Sequence, residues 1–267
     1  MHNQRFVDKV VWITGASSGI GEACALVFAK EGASLILTGR SVEALNKVSS
    51  KCAVLGVRCA VLPYDLSDLE HLSLLVEKAN NFFGPIDVLF NNAGVSQRAL
   101  AGESLLSVDK KIMDINFFSA AHISKLVLPS MIANGGGTIA VTTSITGTFG
   151  FPLRSAYSAS KHALYGFFES LHAEYHHKNI RVVFVCPGRV KTNISINALS
   201  QNGEQYGQMD DGQSGGISPE KAAKKIVSAI YHRKPEVLVG GKELLMVYIK
   251  RLFPGLLRKI IRKIKHT

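Results

Sequence analysis

Tyr157 and Lys161, in the run Tyr157-Ser158-Ala159-Ser160-Lys161, set a phenol and an ammonium four residues apart. On a helix that spacing puts both side chains on one face. A free tyrosine has a pKa of about 10 and is a poor acid or base at neutral pH. A neighbouring positive charge favours the phenolate and moves that pKa toward the working range. Taken alone, a pair of Tyr and Lys four residues apart usually just decorates a helix surface. Its meaning depends on what accompanies it.

What accompanies it is a glycine-rich turn, Thr14-Gly15-Ala16-Ser17-Ser18-Gly19-Ile20-Gly21, directly after the short apolar run Val10-Val11-Trp12-Ile13. Between a first strand and a first helix, such a turn aims backbone N–H groups and a helix N-terminus at a pyrophosphate. Gly15, Ser17, Ser18, Gly19, Ile20 and Gly21 are the candidate cradle, although their spacing differs from the common G-x-G-x-x-G fingerprint. At the end of the second strand, an acid would bind the ribose hydroxyls of NAD, and an arginine the 2′-phosphate of NADP. The sequence there is Thr38-Gly39-Arg40-Ser41, with no carboxylate. The Arg40 guanidinium can grip a phosphate with two hydrogen bonds, so NADP (NADPH) is favoured over NAD.

The elements that must position these groups alternate. Short apolar strands are expected at 10–13, 34–38, 58–63, 88–90, 137–142 and 180–185, with helices at 22–31, 41–55, 68–82, 105–133 and 156–178. This is the pattern of a parallel sheet covered on both faces. The expected fold is α/β: a single-domain, Rossmann-type, doubly wound parallel sheet. Residues 1–241 form the catalytic domain, 195–217 within it a polar substrate loop or lid, and 242–267 a basic amphipathic C-terminal helix. Ser218-Pro219 reads as the cap and first position of a further helix.

An apolar fraction of 46% excludes a disordered chain. Cys24, Cys52, Cys59 and Cys186 form no C-x-x-C pair and read as reduced packing residues. Met1–Lys9 is polar, and no run reaches the eighteen or so apolar residues of a membrane span. The expected location is therefore cytoplasmic, peripheral at a membrane surface if the tail docks there.

Together these residues resemble the short-chain dehydrogenase/reductase family. The resemblance rests on Thr14-Gly15-(x)3-Gly19-x-Gly21, Asp65, Asn91-Asn92-Ala93-Gly94, Asn116, Ser144, Tyr157-(x)3-Lys161 and Pro187-Gly188, in the family's order and spacing over about residues 8–240. Within it the chain looks most like the branch of dehydrogenase/reductase member 7B, on the stretches Arg154-Ser155-Ala156-Tyr157 to Lys161-His162-Ala163 and Tyr206-Gly207-Gln208-Met209-Asp210. The membrane-spanning N-terminal segment of the mammalian relatives has no counterpart in Met1–Lys9.

The resemblance implies interconversion of a carbonyl and a secondary alcohol. Tyr157 exchanges the proton and Ser144 bonds the substrate oxygen. Lys161 binds the nicotinamide ribose and lowers the Tyr157 pKa, and Asn116 holds a relay water. It also implies that Asp65 and Leu66 contact the adenine and that Asn92, Ala93 and Gly94 line the central crevice. Pro187, Gly188, Val190 and Thr192 would fix the nicotinamide carboxamide. The helix of Tyr157 becomes a subunit contact in a homodimer or homotetramer. One departure is Ser119, where the family often has glycine.

The substrate pocket is expected from 95–101, 145–154 and 189–217. The competing function is a cofactor-binding scaffold or redox sensor, which has no need of Ser144, Tyr157 and Lys161 together. His172, His176 and His177 read as a polar helix end rather than a metal site.

The tail carries +7 of the net +11, with no acid between 244 and 267. Ile249, Leu252, Phe253, Leu256, Leu257, Ile260, Ile261 and Ile264 recur at helical spacing opposite the basic residues, with Pro254-Gly255 as a break. Such a segment binds a membrane surface, packs on its own fold or a sister subunit, or docks an acidic partner. On a bilayer it would make a lipophilic substrate the expected one. No recognition motif accompanies the charge, so no nucleic-acid partner is expected.

Overall fold

The computed structural model describes residues 4–264; the tail's Lys265 lies outside the described residues. The chain folds as β1 (Val10–Thr14), α1 (Gly19–Lys30), β2 (Ser34–Gly39), α2 (Val42–Ala53), β3 (Cys59–Pro63), α3 (Leu72–Phe83) and β4 (Val88–Asn91). It continues through α4 (Leu106–Met113), α5 (Ser119–Ala133), β5 (Gly137–Thr142), α6 (Ser155–Tyr175), β6 (Ile180–Pro187) and α7 (Asp211–Ser214). It ends with α8 (Pro219–Tyr231), β7 (Glu236–Val239), α9 (Leu245–Leu252) and α10 (Pro254–Arg262). The strands form one parallel sheet in the order β3-β2-β1-β4-β5-β6-β7.

Period-two alternation explains how one strand serves two cores. On β1, Val11 and Ile13 face Cys24, Phe28 and Ile226 from α1 and α8. Val10 and Trp12 face the opposite way, toward Leu75, Ile123 and Phe168 from α3, α5 and α6. Every residue of β1, β2 and β4 is buried for this reason. The chain winds outward on one side from β1 and on the other from β4. The crevice beyond the carboxyl ends of these two strands is the topological switch point where doubly wound sheets bind ligands.

Several boundaries differ from expectation in instructive ways. α1 begins at Gly19, inside the turn, where a φ of +57° suits glycine despite its poor helix propensity. The expected helix 105–133 is interrupted by a π-turn at Asp114–Phe118. By length and composition the run Leu106–Ala133 could cross a membrane, but 56% of its apolar window is buried inside the fold. β7 was not foreseen. It adds a half-buried edge strand. Ser218 does cap α8, accepting from the Lys221 N–H at 3.3 Å, with Pro219 in its first turn.

Candidate active site

The cleft at the switch point has a volume of about 460 Å3. Its floor on the β1 side is bare backbone. Gly15 sits at φ +65°, and a Cβ there would lie 2.8 Å from Ala93 Cα. Gly19 (φ +57°) faces Thr192, whose methyl would be 3.0 Å from such a Cβ. Gly21 lies beneath the turn, closed off by the Gly15 carbonyl and the Asn92 amide. Asn92 ties the two loops together. Its Nδ2 donates to the carbonyls of Thr14 and Gly15, both at 3.2 Å, and its Oδ1 accepts from Thr142 Oγ1 at 3.2 Å.

Arg40 and Asp65 stand at the outer end, and both are exposed. Arg40 forms no ion pair among the described residues. Desolvation pushes the Asp65 carboxyl up, but hydrogen bonds from Ser67 and the charges of Arg40 and Lys111 outweigh it and hold the group below its ordinary value. Leu66 is buried beside it.

At the inner end, α6 carries Tyr157 to the cleft wall beside Ser144, which follows β5. The N-terminus of α6 has no cap from its own sequence. Gln97 supplies one from a distant loop: its Oε1 accepts from Ala156 N at 2.8 Å, while its Nε2 donates to Ser104 Oγ and Asp109 Oδ1. Burial pushes the Tyr157 phenol up, against the opposing effects of the Ser144 hydrogen bond and the charges of Arg154 and Arg98. Lys161 is 3% exposed, and its Nζ donates to the Thr142 carbonyl at 2.7 Å, 5.8 Å from the Tyr157 ring centroid. Desolvation pushes this amine down to about 7. The charges that favour the Tyr157 phenolate here are those of Arg154 and Arg98, while the Lys161 amine is bonded to the Thr142 carbonyl.

Asn116 occupies the π-turn. Its Nδ2 donates to the Val95 carbonyl and Ser160 Oγ, both at 3.0 Å, and its Oδ1 accepts from Val95 N at 2.8 Å. Neither Asn116 nor Lys161 forms the cleft surface. Gly94 stands in front of them: a Cβ on it would lie 3.1 Å from Asn116 Oδ1 and 3.4 Å from Lys161 Nζ. The remaining expected residues, Pro187, Gly188, Val190 and Thr192, line the far side after β6.

Residues 9–203 match the sequence model of the short chain dehydrogenase family. The chain belongs to the short-chain dehydrogenase/reductase family. It is 41% identical over 254 residues to dehydrogenase/reductase SDR family member 7B of Xenopus tropicalis, covering 92% of this chain and 82% of that protein. It is 39% identical over 260 residues to dehydrogenase/reductase SDR family protein 7-like of Drosophila melanogaster, covering 96% and 80%. The crystal structure of a short chain dehydrogenase/reductase from Burkholderia phymatum in complex with NAD superposes with a TM-score of 0.83 at 25% identity, covering 94% and 96% of the two chains. The chain is thus an oxidoreductase of a family that uses a nicotinamide cofactor.

This short-chain dehydrogenase/reductase has one feature that the sequence reading missed. Asp210, in the polar loop, accepts from Arg98 Nε at 3.1 Å and from Arg154 Nη2 at 2.8 Å, and Arg98 pairs with it a second time through Nη2. Arg98 also donates to Ser96 Oγ at 2.9 Å. Arg154 immediately precedes α6, so the ion pair pins the loop to the helix that carries Tyr157. Two guanidiniums share one carboxylate, leaving one positive charge uncompensated. Desolvation, then repulsion from Arg98, pushes Arg154 down to about 10. Both stretches stand out in the sequence, but nothing local in either shows that their charges pair.

Proposed function

We propose that the protein is an NADP(H)-dependent oxidoreductase that interconverts a carbonyl and a secondary alcohol, with Tyr157 as acid and base. The observation that carries this reading is the convergence of Tyr157 and Ser144 on one cleft whose opposite end is bare glycine backbone. The cradle at Gly15 and Gly94, which any Cβ would crowd, fits a dinucleotide. Ser17, Ser18, Gly19 and Ile20 would hold its pyrophosphate at the start of α1. Asp65, Leu66 and Ala93 would border its adenosine half, and Pro187, Gly188, Val190 and Thr192 its nicotinamide end. Arg40, exposed and without a carboxylate partner, supports NADPH over NADH.

When bound, the cofactor supplies or accepts the hydride. Tyr157 donates its phenolic proton to the carbonyl oxygen in reduction and accepts it in oxidation. Ser144 donates a hydrogen bond to the same oxygen as it gains charge. The surplus positive charge of Arg98 and Arg154 favours the phenolate left behind. Lys161, pushed down to about 7, can hold or release a proton near neutrality. The Asn116 side chain has both amide hydrogens committed, so any water it holds must donate to it, leaving that water able to accept a proton from Lys161.

Residues 1–241 act as the catalytic unit, with 195–217 as its lid. The surface where α5 begins, with Phe118 at the end of the π-turn 47% exposed, supports self-association as a homodimer or homotetramer. Light scattering on the purified chain reads the subunit number directly.

Titration with NADPH and NADH followed by a carbonyl panel tests the main reading. NADPH should bind more tightly, and Tyr157→Phe should lower turnover about 1,000-fold while leaving NADPH affinity unchanged. A Phe variant as active as the parent would remove Tyr157 from the chemistry. Tight NADPH binding without turnover on any carbonyl would favour a cofactor-binding scaffold.

A further inference from the structure

The C-terminal helices α9 and α10 bury only part of their apolar faces. On α10, Leu257 is 1% exposed and packs inward, while Met246 of α9 and Ile264 after α10 reach the wall of the cleft. A second set has no cover. Leu245, Tyr248 and Leu252 follow spacings of three and four along α9, and Phe253, Leu256 and Ile260 repeat them along α10. These six side chains are between 36% and 67% exposed. The amphipathic stripe is interrupted where Pro254 begins a new helix, at the break expected from Pro254-Gly255.

The exposed stripes run beside uncompensated charge. Lys250, Arg251, Arg258, Lys259, Arg262 and Lys263 form no ion pair among the described residues. At an advance of about 100° per residue, Arg251 and Lys259 border the exposed stripes on the side away from the buried one. No acidic residue occurs from Leu244 to Ile264.

We propose that this pair of helices docks on an anionic lipid bilayer, seating its exposed apolar side chains in the headgroup–acyl boundary, its basic side chains on lipid phosphates and the cleft mouth toward the membrane. Large apolar and aromatic groups flanked by lysine and arginine are the physical signature of helices that lie in a membrane interface. Each basic residue near the surface adds attraction to acidic lipid. A second copy of the chain is disfavoured as the occupant. A two-fold interface brings the same patch from both subunits together, and here that would oppose positive charge with positive charge. Orientation of the cleft follows from Met246 and Ile264, which belong to the docking segment and line the cleft as well. The inference stands independently of the redox reading.

Cosedimentation of the full chain with phosphatidylcholine vesicles, with and without phosphatidylserine, tests it. Binding is expected with phosphatidylserine and should weaken as salt rises. Leu252→Ser with Phe253→Ser, and separately Arg258→Glu with Lys259→Glu, should each lower partitioning about tenfold or more, with melting temperatures unchanged. Trp12 is the single tryptophan and is fully buried, so Leu256→Trp places a clean reporter on the stripe. Its emission should be quenched by brominated lipid. The folded parent failing to sediment with acidic vesicles would overturn the proposal, as would either double variant binding like the parent. It would equally fail if light scattering showed the Ser variant dissociating an oligomer while the parent ignores vesicles. A lack of turnover leaves all of these readouts intact, so the two readings fail separately.

Discussion

On the β1 and β4 side of the cleft the surface is made by leaving side chains out, with Gly15, Gly19 and Gly94 exposing backbone held in place by the Asn92 amide. On the β5 and β6 side it is made by polar and charged groups: Tyr157 and Ser144, backed by the buried Lys161 on the Thr142 carbonyl, and Arg98 and Arg154 on Asp210. The first wall depends on space and is indifferent to pH. The second depends on desolvated charge, so its stability and reactivity must follow proton binding. Binding of a large, invariant group suits the first design, and proton transfer needs the second.

The largest effect should come from the charged wall. In the cofactor-free protein, burial lowers Lys161 from its ordinary 10.5 to about 7, so between these values the unfolded chain holds more protons than the folded one. Stability should therefore rise with pH across that window and lose this slope below it. Lys161→Met should abolish this component, a difference of a few kcal/mol between pH 7 and 10 in urea unfolding. Parallel pH curves for parent and variant would show that the amine is solvated after all. Next comes Asp210→Asn, which leaves two buried guanidiniums facing each other and should cost about 3 kcal/mol. The same change favours the Tyr157 phenolate, so the rate limb that reports this group should move to lower pH. A variant that keeps the parent's melting temperature and pH profile would make the ion pair ornamental.

The backbone wall should respond to bulk instead. Gly15→Ala combines a φ of +65° with a Cβ 2.8 Å from Ala93 Cα, and should cost about 1–3 kcal/mol along with NADPH affinity. Gly56→Ala is the control, since its φ is +80° but nothing lies within 4 Å of the new carbon. Equal losses at both positions would mean that backbone strain, not crowding at the cradle, governs. The smallest effect should be Arg40→Asp, which lowers the preference for NADPH over NADH about 10- to 100-fold with no change in melting temperature.

The same contrast explains how much was legible beforehand. The glycine turn, Arg40 after β2 and the Tyr157–Lys161 spacing are local patterns, and the alternation of strand and helix placed them correctly at the ends of a parallel sheet. Contacts that join distant segments left no such trace. Asp210 lies 56 residues from Arg154 and 112 from Arg98, and Gln97 caps a helix that begins far beyond it. β7 escaped because Glu236 is exposed and the strand is only four residues long, too short for alternation to register. The tail was legible in part: spacings of three and four marked its apolar stripe and Pro254-Gly255 its break, but not which apolar residues the fold would bury.

Glu243 stands where the sheet and its covering helices meet the C-terminal pair α9 and α10. Its Oε1 accepts from Arg189 N at 2.7 Å and from Gly241 N at 2.9 Å, and it fills the space in which a Cβ on Gly188 would sit. One carboxylate thus joins the loop after β6 to the base of α9. Thermodynamic reciprocity gives this link a quantitative meaning: any factor by which a surface bound at α9 and α10 changes cofactor affinity must equal the factor by which cofactor changes surface affinity. Two dissociation constants, each measured with and without the other ligand, would give the coupling between them.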